Sequence, residues 1–206
     1  MGRLMFIPEP FKVEAKDKLQ IFSRLVTEAP FATLISYRNS DIYITKVPII
    51  YRDSKIYGHL STRNEHCLYL RDTLAKHTIL IDGPHAFISP RSVGNRPNDI
   101  PTWNYISALV DSPVTTIENN NDIISVLSKQ LEAYDGQDVS YLEPKEFSVI
   151  GSEIMAFSFS ADEGNITVKQ KLSQNKSDSD FENILKNLKE KGCKKLVEWM
   201  IASRHQ

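Results

Sequence analysis

Thr102-Trp103-Asn104-Tyr105, entered through Pro101, crowds a hydroxyl, an indole, an amide and a phenol into four consecutive positions. Far downstream, Lys171-Leu172-Ser173-Gln174-Asn175 gathers an ammonium, a hydroxyl and two amides. A strand that only had to pack would be written mostly in Val, Ile and Leu. In an extended chain Trp103 and Tyr105 share one face, and Thr102 and Asn104 share the other. Lys171, Ser173 and Asn175 likewise share a face, with Leu172 and Gln174 opposite. A ring bearing carbonyls and ring nitrogens needs amide or hydroxyl partners and apolar walls, and a phosphate needs Lys, Arg or hydroxyl donors. The two stretches suit a site for a flat, polar-edged ligand. They suit equally a buried hydrogen-bond network that pins two strands together, and the residues alone leave both readings open.

Other chemistries have less support. The chain has no G-x-G-x-x-G, no G-x-x-x-x-G-K-[ST], no H-E-x-x-H and no C-x-x-C, so a dinucleotide fold, a P-loop and the common zinc sites lack sequence support. His59, His66, Cys67, His77 and His85 show none of the familiar zinc spacings and read as polar strand-end or surface residues, with no metal expected. Cys67 beside His66 is a poor nucleophile and base pair, because sequence neighbours seldom face each other with hydrogen-bonding geometry. Lys186, Lys189, Lys191, Lys194 and Lys195 surround a Gly-centred turn between two helical patterns. They allow a helix-turn-helix on DNA. Glu182, Glu190 and Glu198 dilute the positive stripe, and a solvated helix face is the plainer reading.

The elements that must position these residues can be read from period and punctuation. Leu19, Phe22, Leu25 and Val26 recur at helical spacing over Asp17 to Glu28, and Pro30 supplies a stop. Phe31 to Tyr37, Ile42 to Tyr51 and Lys55 to Leu60 read as three closely connected strands, as in an antiparallel meander. Ser61 to Leu74 is a candidate helix. Thr78 to Ile81 reads as a strand broken by Asp82-Gly83-Pro84 before His85 to Ser89, and Pro90 to Ile100 as a polar loop beside the site. Thr102 to Val110 and Val114 to Glu118 follow as strands. Asn120-Asn121-Asp122 opens a helix, and Ile154 to Ser160 and Ile166 to Leu172 are late strands. Ser179-x-x-Glu182 reads as a capping box opening a helix that Gly192 ends, and Leu196 to Ile201 suggest a last one. About seven strands with scattered helices fit an α+β, mostly β, single domain over 1–206, a barrel core with a helical C-terminal segment at about 178–204.

Composition is that of an ordinary globular protein: of 206 residues, 41% are hydrophobic and 25% charged. A net charge of -1 gives no global pull toward nucleic acid or membrane. No apolar run approaches the ~20 residues of a membrane span. Met1 to Phe11 lacks the apolar core of a signal peptide, so the expected location is the cytoplasm and no membrane partner is expected. Cys67 and Cys193 then read as free thiols. The sequons at Asn165 and Asn175 read as coincidences.

The chain also resembles a family, the PaiB-type negative transcriptional regulators within the pyridoxamine-phosphate-oxidase-like FMN-binding split barrels. The resemblance runs from about Phe6 to Ile201 and rests on five stretches: Pro30 to Leu34, Gly58-His59-Leu60 with Asn64, Gly83 to Pro90, Pro101 to Tyr105 and Lys171 to Asn175. It implies a split β-barrel homodimer with peripheral helices and FMN in a cleft between subunits. Thr102, Trp103, Asn104, Tyr105, Lys171, Ser173, Gln174 and Asn175 are the implied cleft residues, followed by His59, Asn64, His85 and Ser89. Two places depart from the family pattern. Thr45-Lys46-Val47-Pro48 stands where Thr-His-x-Pro is usual, and Ile106 to Ser112 stands where a His and a Gly usually follow. The resemblance implies a regulatory flavoprotein, with a flavin-dependent oxidoreductase acting on a small substrate as the alternative. The family name leaves direct DNA binding by the C-terminal lysines as a third expectation.

Overall fold

The computed structural model describes residues 5–93, 99–136, 149 and 151–204. Positions 94–98 of the expected polar loop lie outside them. Eight strands follow in chain order: β1 Phe31–Arg38, β2 Asp41–Arg52, β3 Lys55–Ser61, β4 Lys76–Ile88, β5 Thr102–Asp111, β6 Val114–Ile117, β7 Ile154–Ser160 and β8 Ile166–Lys171. The helices are α1 Ala15–Glu28, α2 His66–Leu70, α3 Asn120–Asp135, α4 Asp178–Glu190 and α5 Lys194–Arg204, with short 3-10 turns at Glu9–Phe11 and Pro90–Val93. The strands form one sheet in the order β6-β7-β3-β2-β1-β4-β5-β8. The mixture is α+β.

The chain forms two compact, interleaved units. One comprises residues 19–81 and 109–167, the other residues 1–18, 82–108 and 168–206. Strands β4, β5 and β8 each run through both.

In the first unit β1, β2 and β3 make the expected antiparallel meander, with Ile35 opposite Ile44 and Ile49 opposite Gly58. Strand β3 pairs along its whole length with β7, from Lys55 opposite Ser160 to Ser61 opposite Ile154. Alternation buries Ala32 and Leu34 of β1, and Ile56 and Leu60 of β3, in one core. Helix α1 adds Phe22 and Leu25, with the Phe22 ring edge-on to Tyr51 at 5.0 Å. Helix α3 starts at an Asn119 cap, whose side chain accepts from Asn121 and Asp122 amides, and its Ile123 and Val126 pack with Ala156.

In the second unit α4 buries Phe181, Ile184, Leu185 and Leu188, spaced for one helical face, and α5 buries Leu196, Val197, Trp199 and Met200. Gly192 joins the two helices at φ +74°, a left-handed conformation that glycine adopts without penalty.

The structure corrects four local readings. Strand β4 runs unbroken through Asp82-Gly83-Pro84, because proline's fixed φ is compatible with a strand wherever its missing N–H is not needed. The helix expected over Ser61 to Leu74 is confined to His66–Leu70. Ser61 is committed to pairing with Ile154, and side chains cap the turns on either side: Asn64 Oδ1 accepts from the His66 amide at 3.0 Å and Asp72 Oδ1 from the Leu74 amide. Helix α4 begins at a Ser177 cap rather than Ser179: extended at ψ 158°, Ser177 accepts from the Asp180 amide at 3.3 Å. The strands number eight among the described residues, against about seven expected, with the run at Thr78 to Ile81 and nearly all of that at His85 to Ser89 falling in the single strand β4.

Candidate functional site

Alternation along β5 does at the site what the residue order predicts. Asn104 is buried, and its amide faces Ser173 just beyond the end of β8. The Asn104 Nδ2 donates to Ser173 Oγ at 2.9 Å, and Ser173 Oγ donates back to Asn104 Oδ1 at 3.0 Å. Lys171 Nζ donates to Thr102 Oγ1. Ser173 holds φ +61°, a region that non-glycine residues rarely occupy without a local reason. Gln174 explains part of it. Its amide accepts from the Leu172 N–H at 2.8 Å and donates to the Gln170 carbonyl at 2.7 Å, closing the turn that follows β8.

Around these pairs lies a concavity of about 270 Å³ lined by Thr102, Asn104, Lys171, Ser173, Asn175 and Lys176. Trp103 and Tyr105, one step along the strand, line a different concavity of about 410 Å³ with Asp82, Gly83, His85 and Ile106. The two share no residue. The indole lies 6.0 Å from the His85 ring and 6.0 Å from the Phe87 ring, and Lys169 Nζ sits 5.4 Å from the Tyr105 centroid. Trp103 is 52% exposed and Phe87 43%, so this aromatic wall is open on one side.

The remaining expected residues hold local bonds. Ser89 closes the Pro90–Val93 turn: its hydroxyl accepts from the Arg91 amide and its carbonyl from the Ser92 hydroxyl at 2.6 Å. His59 and Asn64 belong to the other unit. His59 Nδ1 meets Gln130 Oε1 at 2.6 Å, and burial lowers its pKa against that bond. Asn64 reaches Thr45 Oγ1 at 3.4 Å. The two departures from the family pattern differ in setting: Lys46 is exposed, its Nζ donating to Thr33 Oγ1 at 3.0 Å and lying 5.4 Å from the Phe31 ring, while Ile106, Ala108 and Val110 are core.

One constellation escaped the sequence reading. His66 and His77, expected at strand ends or on the surface, are buried on either side of Ser36. His66 Nε2 lies 2.6 Å and His77 Nδ1 2.7 Å from Ser36 Oγ, and His66 Nδ1 lies 2.8 Å from Thr45 Oγ1. One hydroxyl hydrogen cannot serve two imidazoles. Ser36 therefore donates to one ring and accepts from the other. Burial, and then the His77 ring, push the His66 pKa down to about 4. Cys67, next to His66, is buried with its thiol pKa raised, which argues against a nucleophile. Among the described residues no group of three His, Cys, Asp or Glu side chains could hold a metal.

Solved structures share this fold. The chain superposes on the FAD and heme binding protein from Mycobacterium smegmatis with a TM-score of 0.61, 14% identity and coverage of 79% of this chain and 76% of that one. It superposes on the flavocytochrome Anf3 from Azotobacter vinelandii with a TM-score of 0.57, 12% identity and coverage of 79% and 72%. The fold is the split β-barrel.

Residues 5–163 match the family described as "Putative FMN-binding domain", and the chain belongs to that family. It is also 26% identical over 213 residues, 95% of this chain and 96% of the other, to the "Protease synthase and sporulation protein PAI 2" of Bacillus subtilis (strain 168). FMN is the cofactor of this family. The residues present fit it in chemistry: Trp103, Tyr105 and Ile106 offer aromatic and apolar walls, and His85 a ring nitrogen, for a flat heteroaromatic system.

Proposed function

We propose that this chain is an FMN-binding regulatory protein that works as a homodimer in the cytoplasm and represses transcription. The observation that carries the flavin part is the open aromatic concavity of β5. Trp103 and Tyr105 would pack against the isoalloxazine, and His85 would serve its polar edge. Bound FMN supplies the redox chemistry, while the chain's own residues position the ring and exclude water from its covered face.

The dimer reading rests on exposed apolar surface. Besides Trp103 and Phe87, the register of β1 with β2 sets Phe31, Ile35 and Tyr37 beside Pro48, Ile44 and Ile42, and Phe31, Ile42 and Ile44 are each more than 60% exposed. A second copy would cover such surface. The repressor reading rests on the resemblance to the PaiB-type negative transcriptional regulators carried by Gly83 to Pro90, Pro101 to Tyr105 and Lys171 to Asn175. Lys186, Lys189, Lys191, Lys194 and Lys195 stand exposed around the α4–α5 turn as the surface for DNA. Cytoplasmic location accords with the described helices, none of which is long and apolar enough to cross a membrane.

The test is the absorbance spectrum of the purified protein, with sedimentation and promoter-DNA binding measured on the same sample. Flavin absorbance, a dimer and a salt-dependent DNA shift lost on charge reversal at Lys194 and Lys195 are expected. A colourless protein that ignores added FMN refutes the cofactor part. A dimer that binds FMN and never DNA refutes the direct repressor part, and steady turnover of NAD(P)H by the flavin would favour an oxidoreductase.

A further inference from the structure

The polar concavity on the Thr102–Asn104 side of β5 is not needed to wall a flavin ring packed against Trp103. Its chemistry is also different. Thr102 and Ser173 supply hydroxyls, Asn104 and Asn175 amides, and Lys171 and Lys176 two ammonium groups, with no carboxylate among the described lining residues. Both lysines are half-buried. Lys171 donates to the neutral Thr102, and among the described residues neither ammonium has a carboxylate within ion-pair distance. Lys12 and Arg204 of the same unit, by contrast, have carboxylate partners, Glu9 and Asp178. Two partly desolvated positive charges in one cavity, without a counter-charge, favour an anionic occupant.

The walls are preformed. Asn104 and Ser173 already satisfy each other, and the Gln174 clasp holds Ser173 at its unusual φ, so binding would order little of the chain. Size narrows the class. At ~30 Å³ per water, about 270 Å³ exceeds the room a bare phosphate needs. Phe11 and Ile100 add an apolar wall that suits a carbon skeleton. We infer that the Lys171–Lys176 concavity binds a small phosphate monoester, a second ligand on the strand face opposite the flavin. This assignment rests on the flavin occupying the Trp103 face.

The experiment is calorimetric titration of the full-length, FMN-loaded protein with glycerol 3-phosphate and with inorganic phosphate. Glycerol 3-phosphate is expected to bind saturably and more tightly than inorganic phosphate. Lys171→Gln combined with Lys176→Gln should weaken it by about tenfold or more, with FMN affinity by flavin fluorescence changed less than about twofold. Thr102→Val, which keeps the side-chain volume and both charges, should weaken it by a few fold and serves if the double variant fails to fold. Absence of saturable binding of glycerol 3-phosphate overturns the inference. So does binding that the variants leave unchanged, or inorganic phosphate binding as tightly as the monoester. Loss of FMN in the lysine variants also overturns it, because the lysines would then hold the flavin's own phosphate. Wild-type protein that binds glycerol 3-phosphate but no FMN refutes the flavin reading and leaves the anion site standing.

Discussion

Asn104 and Ser173, 69 residues apart in the chain, hold each other through two hydrogen bonds of 2.9 and 3.0 Å in a site where both are buried. Each therefore satisfies most of what the other needs. Ser173→Ala should cost about 1–3 kcal/mol, since it strands a buried amide. Adding Asn104→Ala should cost less than the sum of the single changes. A double-mutant cycle by urea denaturation measures the coupling, and simple additivity would show that the pair does not act as a unit.

Trp103 should matter for flavin far more than for folding. Half-exposed, it contributes little core, yet it supplies the largest aromatic surface of the open concavity. Trp103→Leu is expected to weaken FMN binding by about tenfold or more while moving the melting temperature by only a few degrees. Fluorescence titration with FMN checks the first and calorimetry the second.

The His66–Ser36–His77 cluster predicts a specific acid response. His66 is held neutral in the fold down to about pH 4, whereas in the unfolded chain it takes a proton near its ordinary value of 6.5. Between those values the unfolded chain binds more protons, so stability falls as pH falls from about 6.5 to 4. The upper bound is about 3 kcal/mol. His66→Gln should lower stability at pH 7 and flatten the slope across that window. Urea midpoints at several pH values give the answer, and an equally steep slope in the variant would assign the acid response to other groups.

Gly58 in β3 leaves no room for a side chain. A Cβ there would lie 2.4 Å from Phe157 Cζ and 3.1 Å from the Pro48 carbonyl oxygen. The Phe157 ring is fully buried and in edge contact with Phe159 at 5.8 Å, so it has nowhere to retreat. Gly58→Ala is expected to destabilise by about 1–3 kcal/mol through overpacking, read as a fall in melting temperature.

The two thiols should differ in reactivity. Cys67 is buried, its Sγ donates to the Ser61 carbonyl and burial raises its pKa. Cys193 is half-buried beside the α4–α5 turn. Cys193 should label first with an alkylating reagent in the native protein, and Cys67 only on unfolding. Peptide mapping by mass spectrometry distinguishes them.

Legibility in the sequence followed locality. Helix α1 announces itself through Leu19, Phe22, Leu25 and Val26, and β7 was read at its observed bounds, because period and punctuation lie within one short window. The two faces of β5 were legible for the same reason: alternation alone separates Trp103 and Tyr105 from Thr102 and Asn104. That these faces line two separate concavities was not legible, since it depends on which strands flank β5. The histidine cluster was hidden too. Its bonds join residues 30 and 41 positions apart, and a lone serine in β1 carries no mark of what it will face. Pro84 misled in the other direction, because a strand breaker is punctuation only where the missing N–H would have been used.

The interleaving of the two units sets the order in which they can come into being on the ribosome. The unit that carries β5's polar and aromatic faces draws on residues 1–18, 82–108 and 168–206. Its closure brings Lys169 to the carbonyl of Phe6, 163 positions earlier. The amino-terminal segment emerges first and waits longest for its partners, while the unit built from 19–81 and 109–167 can be finished before synthesis ends. A chain cut before residue 168 would therefore hold most of one core and lack the Lys171-to-Asn175 side of the proposed site.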